Sequence, residues 1–183
     1  MKTTNFNRWI LYAWIAILLS GIVLSCAPER PSLQAYRLKS KDSKLTENFR
    51  NEIVEFARKQ MGTKYKKAGK GNEGFDCSGF VGFVFHEFRI QMGSCAHEQA
   101  EPGAEILTKE AKCGDLIFFG TSKRISHVGI ITQNKKNELW VIHSTSSRGV
   151  IEENILKSDY WVRKIIKIVD LNSYLKSGDI SQL

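Results

Sequence analysis

The sequence predicts an α+β domain with N-terminal helices packed on an antiparallel β-sheet. Three observations carry that expectation: a helical apolar face early in the chain, a longer apolar run opening at Cys77, and a succession of β-rich segments after residue 115. Helices gathered ahead of strands fit helix-on-antiparallel-sheet layering rather than alternating parallel units. The first helix is expected over residues 46–61, where Phe49, Ile53, Phe56, Ala57 and Gln60 recur so that the apolar members share one face. Thr46 stands where an N-cap belongs and Gly62 where a helix stop belongs. A Gly- and Lys-rich loop, GTKYKKAGKGNEGFD, follows, and then the run CSGFVGFVFHEF, long enough for a buried helix. Gly79 and Gly82 lower its helix propensity but permit close packing. Beyond a loop holding Cys95 and His97, the segments 116–120 (LIFFG), 127–133 (HVGIITQ), 138–145 (ELWVIHST) and 160–169 (YWVRKIIKIV) are rich in β-formers and separated by turn residues. Each is predicted as a strand.

Composition excludes several classes. A chain of 183 residues, 42% hydrophobic and 25% charged, is neither disordered nor a polytopic membrane protein. Three prolines and 14 glycines exclude collagen-like repeats. The cysteines, at positions 26, 77, 95 and 113, are too sparse for a disulfide scaffold and form no CxxC pair, which argues against a zinc ribbon. Lys and Arg number 27 against 19 acids, a net charge of +8, which suits anionic surfaces. Nucleic acid is not expected as a partner, because no known binding motif accompanies that charge.

Ahead of the domain, Lys2 and Arg8 precede an uncharged run over residues 9–24. It is shorter than the roughly 20 apolar residues that span a bilayer core. A positive start, an apolar middle and small exit residues are the pattern of a secretory signal. The exit, Val23-Leu24-Ser25-Cys26, resembles a bacterial lipoprotein box. That resemblance implies cleavage before Cys26 and a diacylated cysteine as the new first residue; an uncleaved signal anchor is the other reading. The organisation expected is a signal peptide at 1–25, a lipidated cysteine with a Pro-containing tether at 26–44, the domain at 45–170 and a tail at 171–183.

Three segments carry chemistry: Phe75-Asp76-Cys77-Ser78-Gly79, Ser126-His127-Val128-Gly129-Ile130 and Val141-Ile142-His143-Ser144. A cysteine attacks a carbonyl as thiolate, and a helix N-terminus or a neighbouring histidine favours that form. Cys77 is predicted at a helix start. His127 and His143 are predicted on adjacent strands, one to face the thiol and the other to orient the first, the logic of nucleophile, base and orienter. His86, His97, Cys95 and Cys113 have no such flanks and are read as structural.

The segments GFDCSGFV, GDLIFF, SHVGI and VIHSTSSRGV together resemble the NlpC-type cell-wall cysteine peptidases, a branch of the papain-like fold, over residues 48–169. With Cys26, the chain resembles the murein endopeptidase lipoproteins of that family. The resemblance implies a papain-like NlpC-type fold, Cys77 as nucleophile, His127 as general base and His143 as the third residue. It implies that the Tyr65 hydroxyl assists the oxyanion and that Asp76 and Ser78 hold a substrate amino group. Asp115, in GDLIFF, is read as structural, and Ser146, Ser147 and Arg148 receive no role. The loops 93–97 and 66–69 depart from the usual family pattern, which touches substrate preference more than catalysis.

The implied reaction is hydrolysis of an amide in peptidoglycan stem peptides without metal or cofactor. The favoured bond is γ-D-glutamyl-diaminopimelate, with the D-alanyl-diaminopimelate cross-link as the alternative. A catalytically silent wall-binding module and a metal site built from Cys77, His127 and His143 are the readings from other classes. The chain is expected as a monomer, lipid-anchored in the bacterial envelope at the outer membrane facing the periplasm. A Cys95–Cys113 disulfide is left open. Radiolabelled palmitate is expected to enter the full chain and to be lost in Cys26→Ala; labelling that persists in that variant overturns the lipoprotein reading.

Overall fold

Apolar side chains on both faces of one sheet organise the described part of the molecule. The computed structural model describes residues 43–71 and 73–177. The signal segment, Cys26 and the tether up to residue 42 lie outside the described residues. In chain order the elements are α1 (Ser43–Arg58), β1 (Lys70–Gly71), β2 (Gly74–Phe75), α2 (Cys77–Glu87), α3 (Ala96–Ala100), β3 (Glu105–Ile106) and β4 (Leu116–Thr121). Then come β5 (Arg124–Lys135), β6 (Glu138–Thr145), β7 (Gly149–Asn154), α4 (Asp159–Val162), β8 (Ile165–Val169) and α5 (Asn172–Ser177). Six strands form one antiparallel sheet in the order β3-β8-β4-β5-β6-β7, and β1 with β2 makes a small hairpin. The α+β reading is therefore correct.

Strand alternation explains the unbroken run Leu116-Ile117-Phe118-Phe119. Successive side chains point to opposite faces, and here both faces are covered. Leu116 and Phe118 join Phe49, Ile53, Phe80, Val84 and Phe85 of α1 and α2 in one core. Ile117 and Phe119 join Ile131, Val141, Ile155 and Trp161 in a second core on the other face. Each large apolar side chain removed from water contributes about 1.5–3 kcal/mol.

Several expectations need correction. The first helix starts at Ser43, so Thr46 lies inside it rather than capping it. It stops at Arg58, where shorter i→i+3 bonds from Gln60 to Ala57 and Met61 to Arg58 tighten the end. Gly62, at φ +83°, then turns the chain so that its N–H meets the Val150 carbonyl at 2.9 Å. The segment 160–169 is not one strand. Ser158 accepts from the Trp161 N–H at 3.4 Å and starts the helical turn α4, after which β8 begins at Ile165. The cap competes locally with the β-preference of Tyr-Trp-Val and prevails. Strand β7 was not expected, because Glu152 and Glu153 interrupt its apolar pattern; in the fold both carboxylates have partners. The segment after 170, read as a tail, contributes the buried Leu171 and Tyr174 to the first core. Tyr174 also donates to the Gln99 carbonyl at 2.6 Å.

One buried ion network ties the ends of the domain together. Arg50 of α1, 3% exposed, donates to Asp115 at 2.5 Å, to Asp170 at 2.7 Å and to the Cys113 carbonyl at 2.9 Å. Asp115, 1% exposed, also accepts from the Lys112 and Leu171 N–H groups, so its charge is fully solvated by protein. The structural reading of Asp115 holds. Removing one partner of a buried pair leaves the other charge without compensation. Arg50→Met is expected to lower the unfolding free energy by about 3–5 kcal/mol in urea, whereas Lys66→Met, which breaks the exposed Lys66–Glu73 pair, is expected to leave it nearly unchanged.

Candidate active site

Cys77 owes its position to the backbone around it. Asp76 caps α2, its carboxylate accepting from the Gly79 N–H at 2.6 Å and from the Ser78 hydroxyl at 3.1 Å. The Asp76 N–H is held by the Gly69 carbonyl at 3.0 Å, and the Phe75 carbonyl by the Ser144 hydroxyl at 2.8 Å. A Cβ at position 79 would strike the Gly69 carbonyl, which explains the glycine in DCSG. Helix α2 is apolar nearly all round and packs its length into the core, so its first residue is delivered to the rim of a cleft of about 450 Å³. Tyr65, Asp76, Cys77, Ser78, His97 and Arg124 are among the residues that line this cleft.

The sulfur rests against the strand that carries His127. Sγ lies 4.0 Å from the Ser126 carbonyl, and the N–H of Val128 is directed at it. The thiol thus lies beside the strand at His127, although no hydrogen bond joins it to the ring. His127 Nε2 instead lies 2.9 Å from Nδ1 of His143. The register of β4 and β5 sets Phe119 opposite His127, and Trp161 stacks on the imidazole at 4.8 Å between ring centres. His143 is fully buried at 4.9 Å from the same indole. Gly129 makes room for this ring: a Cβ there would sit 3.1 Å from that of His143 and closer still to Val141.

Protonation at rest differs from the expectation of a standing thiolate. Burial, and then the neighbouring Asp76 carboxylate, push the Cys77 thiol up, more than the N–H groups of Val128, Ser78 and Cys77 pull it down. Burial and then His143 lower His127 to about 3. At neutral pH both members are uncharged, because a half-dry slot disfavours either ion.

The other expected residues are placed unevenly. Tyr65 is held beside Phe75 by a β-bridge, lines the cleft and makes no side-chain hydrogen bond among the described contacts. Burial, with Cys77 and Asp76 nearby, raises its pKa, so the phenol remains a donor. Ser78 is buried, with its hydroxyl directed to Asp76 and to the Ser94 carbonyl at 3.5 Å. Cys77, Cys95 and Cys113 are all free, so the disulfide left open does not form. Among the described residues no cluster of three or more His, Cys, Asp or Glu could hold a metal ion. Three neighbours of His143 escaped sequence reasoning: Glu153, Arg148 and Trp161. Glu153 accepts from His143 Nε2 at 3.0 Å, Arg148 at 2.7 Å and the Trp161 indole at 3.0 Å. The alternation of His143 with a carboxylate on the next strand is visible only once the β6–β7 register is known.

Comparison with known proteins agrees with this geometry. Residues 62–170 match the NlpC/P60 family. The chain is 28% identical to the Murein DD-endopeptidase MepS/Murein LD-carboxypeptidase of Escherichia coli (strain K12), over 90% of this chain and 94% of that protein. It is 36% identical to the bifunctional muramidase/DL-endopeptidase CwlT of Bacillus subtilis (strain 168), over 62% of this chain but 34% of that one. The crystal structure of the NlpC/p60 domain of the peptidoglycan hydrolase SagA superposes with a TM-score of 0.56 at 29% identity, covering 65% of this chain and 96% of that one.

The neutral state of His127 has a consequence for stability. Folding lowers its pKa from the ordinary 6.5 to about 3, so the unfolded chain binds the extra proton first as pH falls. The stabilisation is complete above pH 6.5 and is lost progressively toward pH 3. Thermal unfolding from pH 7 to pH 4 is expected to show a smaller fall in Tm for His127→Gln than for the native chain; parallel curves would contradict the assignment.

Proposed function

The chain belongs to the NlpC/P60 family, and from that membership and the grouping of Cys77, His127 and His143 we propose that it is a peptidoglycan endopeptidase cutting an amide bond of wall stem peptides by thiol catalysis. It is a peptidoglycan hydrolase of a cysteine peptidase family. The single observation that carries the mechanism is the Cys77 sulfur lying 4.0 Å from the Ser126 carbonyl, on the strand whose next residue, His127, is bonded in turn to His143.

In this reading the neutral Cys77 thiol attacks the scissile carbonyl as its proton passes to His127. The oxyanion is met by the protonated Tyr65 hydroxyl and by N–H groups at the start of α2. His127 then gives its proton to the leaving amine, and a water activated by His127 cleaves the thioester. Asp76, at the cleft wall, is the carboxylate offered to a substrate amino group. Lys123 and Arg124 line the same cleft and offer cations to substrate carboxylates. Lipid anchoring through Cys26 would hold the enzyme on the envelope membrane, within reach of the wall.

The bond assigned is the D-alanyl-diaminopimelate cross-link. A relative matched over 94% of its length is named a murein DD-endopeptidase and LD-carboxypeptidase, and the DD-endopeptidase part of that name supports this reading over the γ-D-glutamyl bond. The γ-D-glutamyl bond remains the second reading, supported by the domain-level likeness to a DL-endopeptidase. Digestion of defined, cross-linked and uncross-linked muropeptides by the full chain, with products weighed by mass spectrometry, tests both. Cross-linked dimers are expected to fall to monomers, with activity reduced roughly 10³-fold or more in Cys77→Ala. Release of uncross-linked stems cut between D-glutamate and diaminopimelate would select the second reading. No cleavage, or full cleavage by the variant, would refute thiol catalysis.

A further inference from the structure

The hydrogen-bond chain that starts at His127 continues past the second imidazole to a carboxylate. We propose that Glu153 is a positioning residue of the thiol site, whose carboxylate sets the tautomers of both histidines and leaves Nδ1 of His127 as the base. The inference rests on the peptidase reading above and deepens it.

The β6–β7 register places Glu153 opposite Val141, two residues along β6 from His143, so the side chains lie on one face of the sheet. Its Oε1 stands 3.0 Å from Nε2 of His143, 2.7 Å from Nη2 of Arg148 and 3.0 Å from Nε1 of Trp161. Arg and the indole N–H are donors only, and an ionised carboxylate is an acceptor only. Nε2 of His143 must therefore carry the hydrogen. Burial raises Glu153, but Arg148, His143 and Trp161 together hold it below the usual carboxylate range, so it is ionised at neutral pH. Burial also outweighs Glu153 at His143 and lowers that ring's pKa, keeping it neutral.

A neutral ring with hydrogen on Nε2 has a lone pair on Nδ1. Nδ1 of His143 is the atom 2.9 Å from Nε2 of His127, so His127 must donate through Nε2. Its own hydrogen is thereby committed, and Nδ1 is left bare. The opposite tautomer of either ring would set two hydrogens or two lone pairs against each other in a slot closed by Trp161. When the sulfur bonds to the carbonyl carbon, its proton moves to Nδ1 of His127. The resulting imidazolium keeps its Nε2 hydrogen on His143, and no proton leaves the His143–Glu153 bond. Arg148 and Trp161 aim the carboxylate; without them it would be free to rotate toward solvent.

Full-length protein labelled with ¹⁵N-histidine and observed at neutral pH tests the assignment without any substitution. Both His127 and His143 are expected as Nε2–H tautomers with unprotonated Nδ1; a His143 protonated at Nδ1 overturns the proposal. Glu153→Gln keeps the shape and loses the charge, and Glu153→Ala loses both. The Gln variant is expected to lose roughly 10- to 100-fold in kcat with KM little changed, and the Ala variant more. Arg148→Met, which leaves the Glu153–His143 bond in place, is expected to lose less than either. A Gln variant within about twofold of native kcat, with native tautomers in the Ala variant, overturns the positioning role. If native protein shows the expected tautomers but cuts no muropeptide, the peptidase reading fails while the tautomer assignment stands.

Discussion

The 2.9 Å bond between His127 and His143 requires one ring to give a hydrogen and the other to take it. Two imidazoles in water have no reason to choose, and two charged rings would repel. The fold resolves this by drying the pair between Phe119 and Trp161, which keeps both rings neutral. A neutral pair is a proton acceptor waiting for a donor, and the Cys77 thiol is pressed against the same strand. The site therefore rests as a neutral thiol and neutral rings rather than as a standing ion pair.

Placing a thiol against the strand that carries His127 demands a rigid frame on both faces of the sheet. On one face α1 and α2 are packed into a core, and Arg50 joins α1 to the start of β4 and to the chain after β8 through two carboxylates. At the other end of α1, Arg58 grips Glu152 of β7 with two nitrogens at 3.0 and 2.7 Å. Strand β7 thus carries two neighbouring carboxylates with different partners: Glu152 braces a helix and Glu153 meets the His143 ring. On the opposite face the short turn α4 exists to insert Trp161 over the imidazoles, which is why a Ser158 cap interrupts an otherwise β-like sequence.

Close approaches made by glycines complete the frame. Gly79 lets the Gly69 loop lie on the first turn of α2, and Gly129 lets His143 stand beside its neighbour strand. Both glycines belong to the motifs that hold Cys77 and His127. Their role is spatial, which explains why a short sequence pattern can be so specific for a site assembled from distant segments.

The sequence by itself determined the fold class, the helix that begins at Cys77 and the central strands, and singled out Cys77, His127 and His143 as candidates, because periodicity, capping and local flanks are written in adjacent residues. It could not reveal β7, whose pattern is interrupted by Glu152 and Glu153, nor the contribution of Leu171 and Tyr174 to the core. Only the tertiary structure decided that Trp161 roofs the rings, that Glu153 closes the hydrogen-bond chain, and that the resting thiol and imidazole are both uncharged. Those outcomes depend on strand register and on burial, which arise from residues far apart in the chain and leave no trace in the spacing of any one segment.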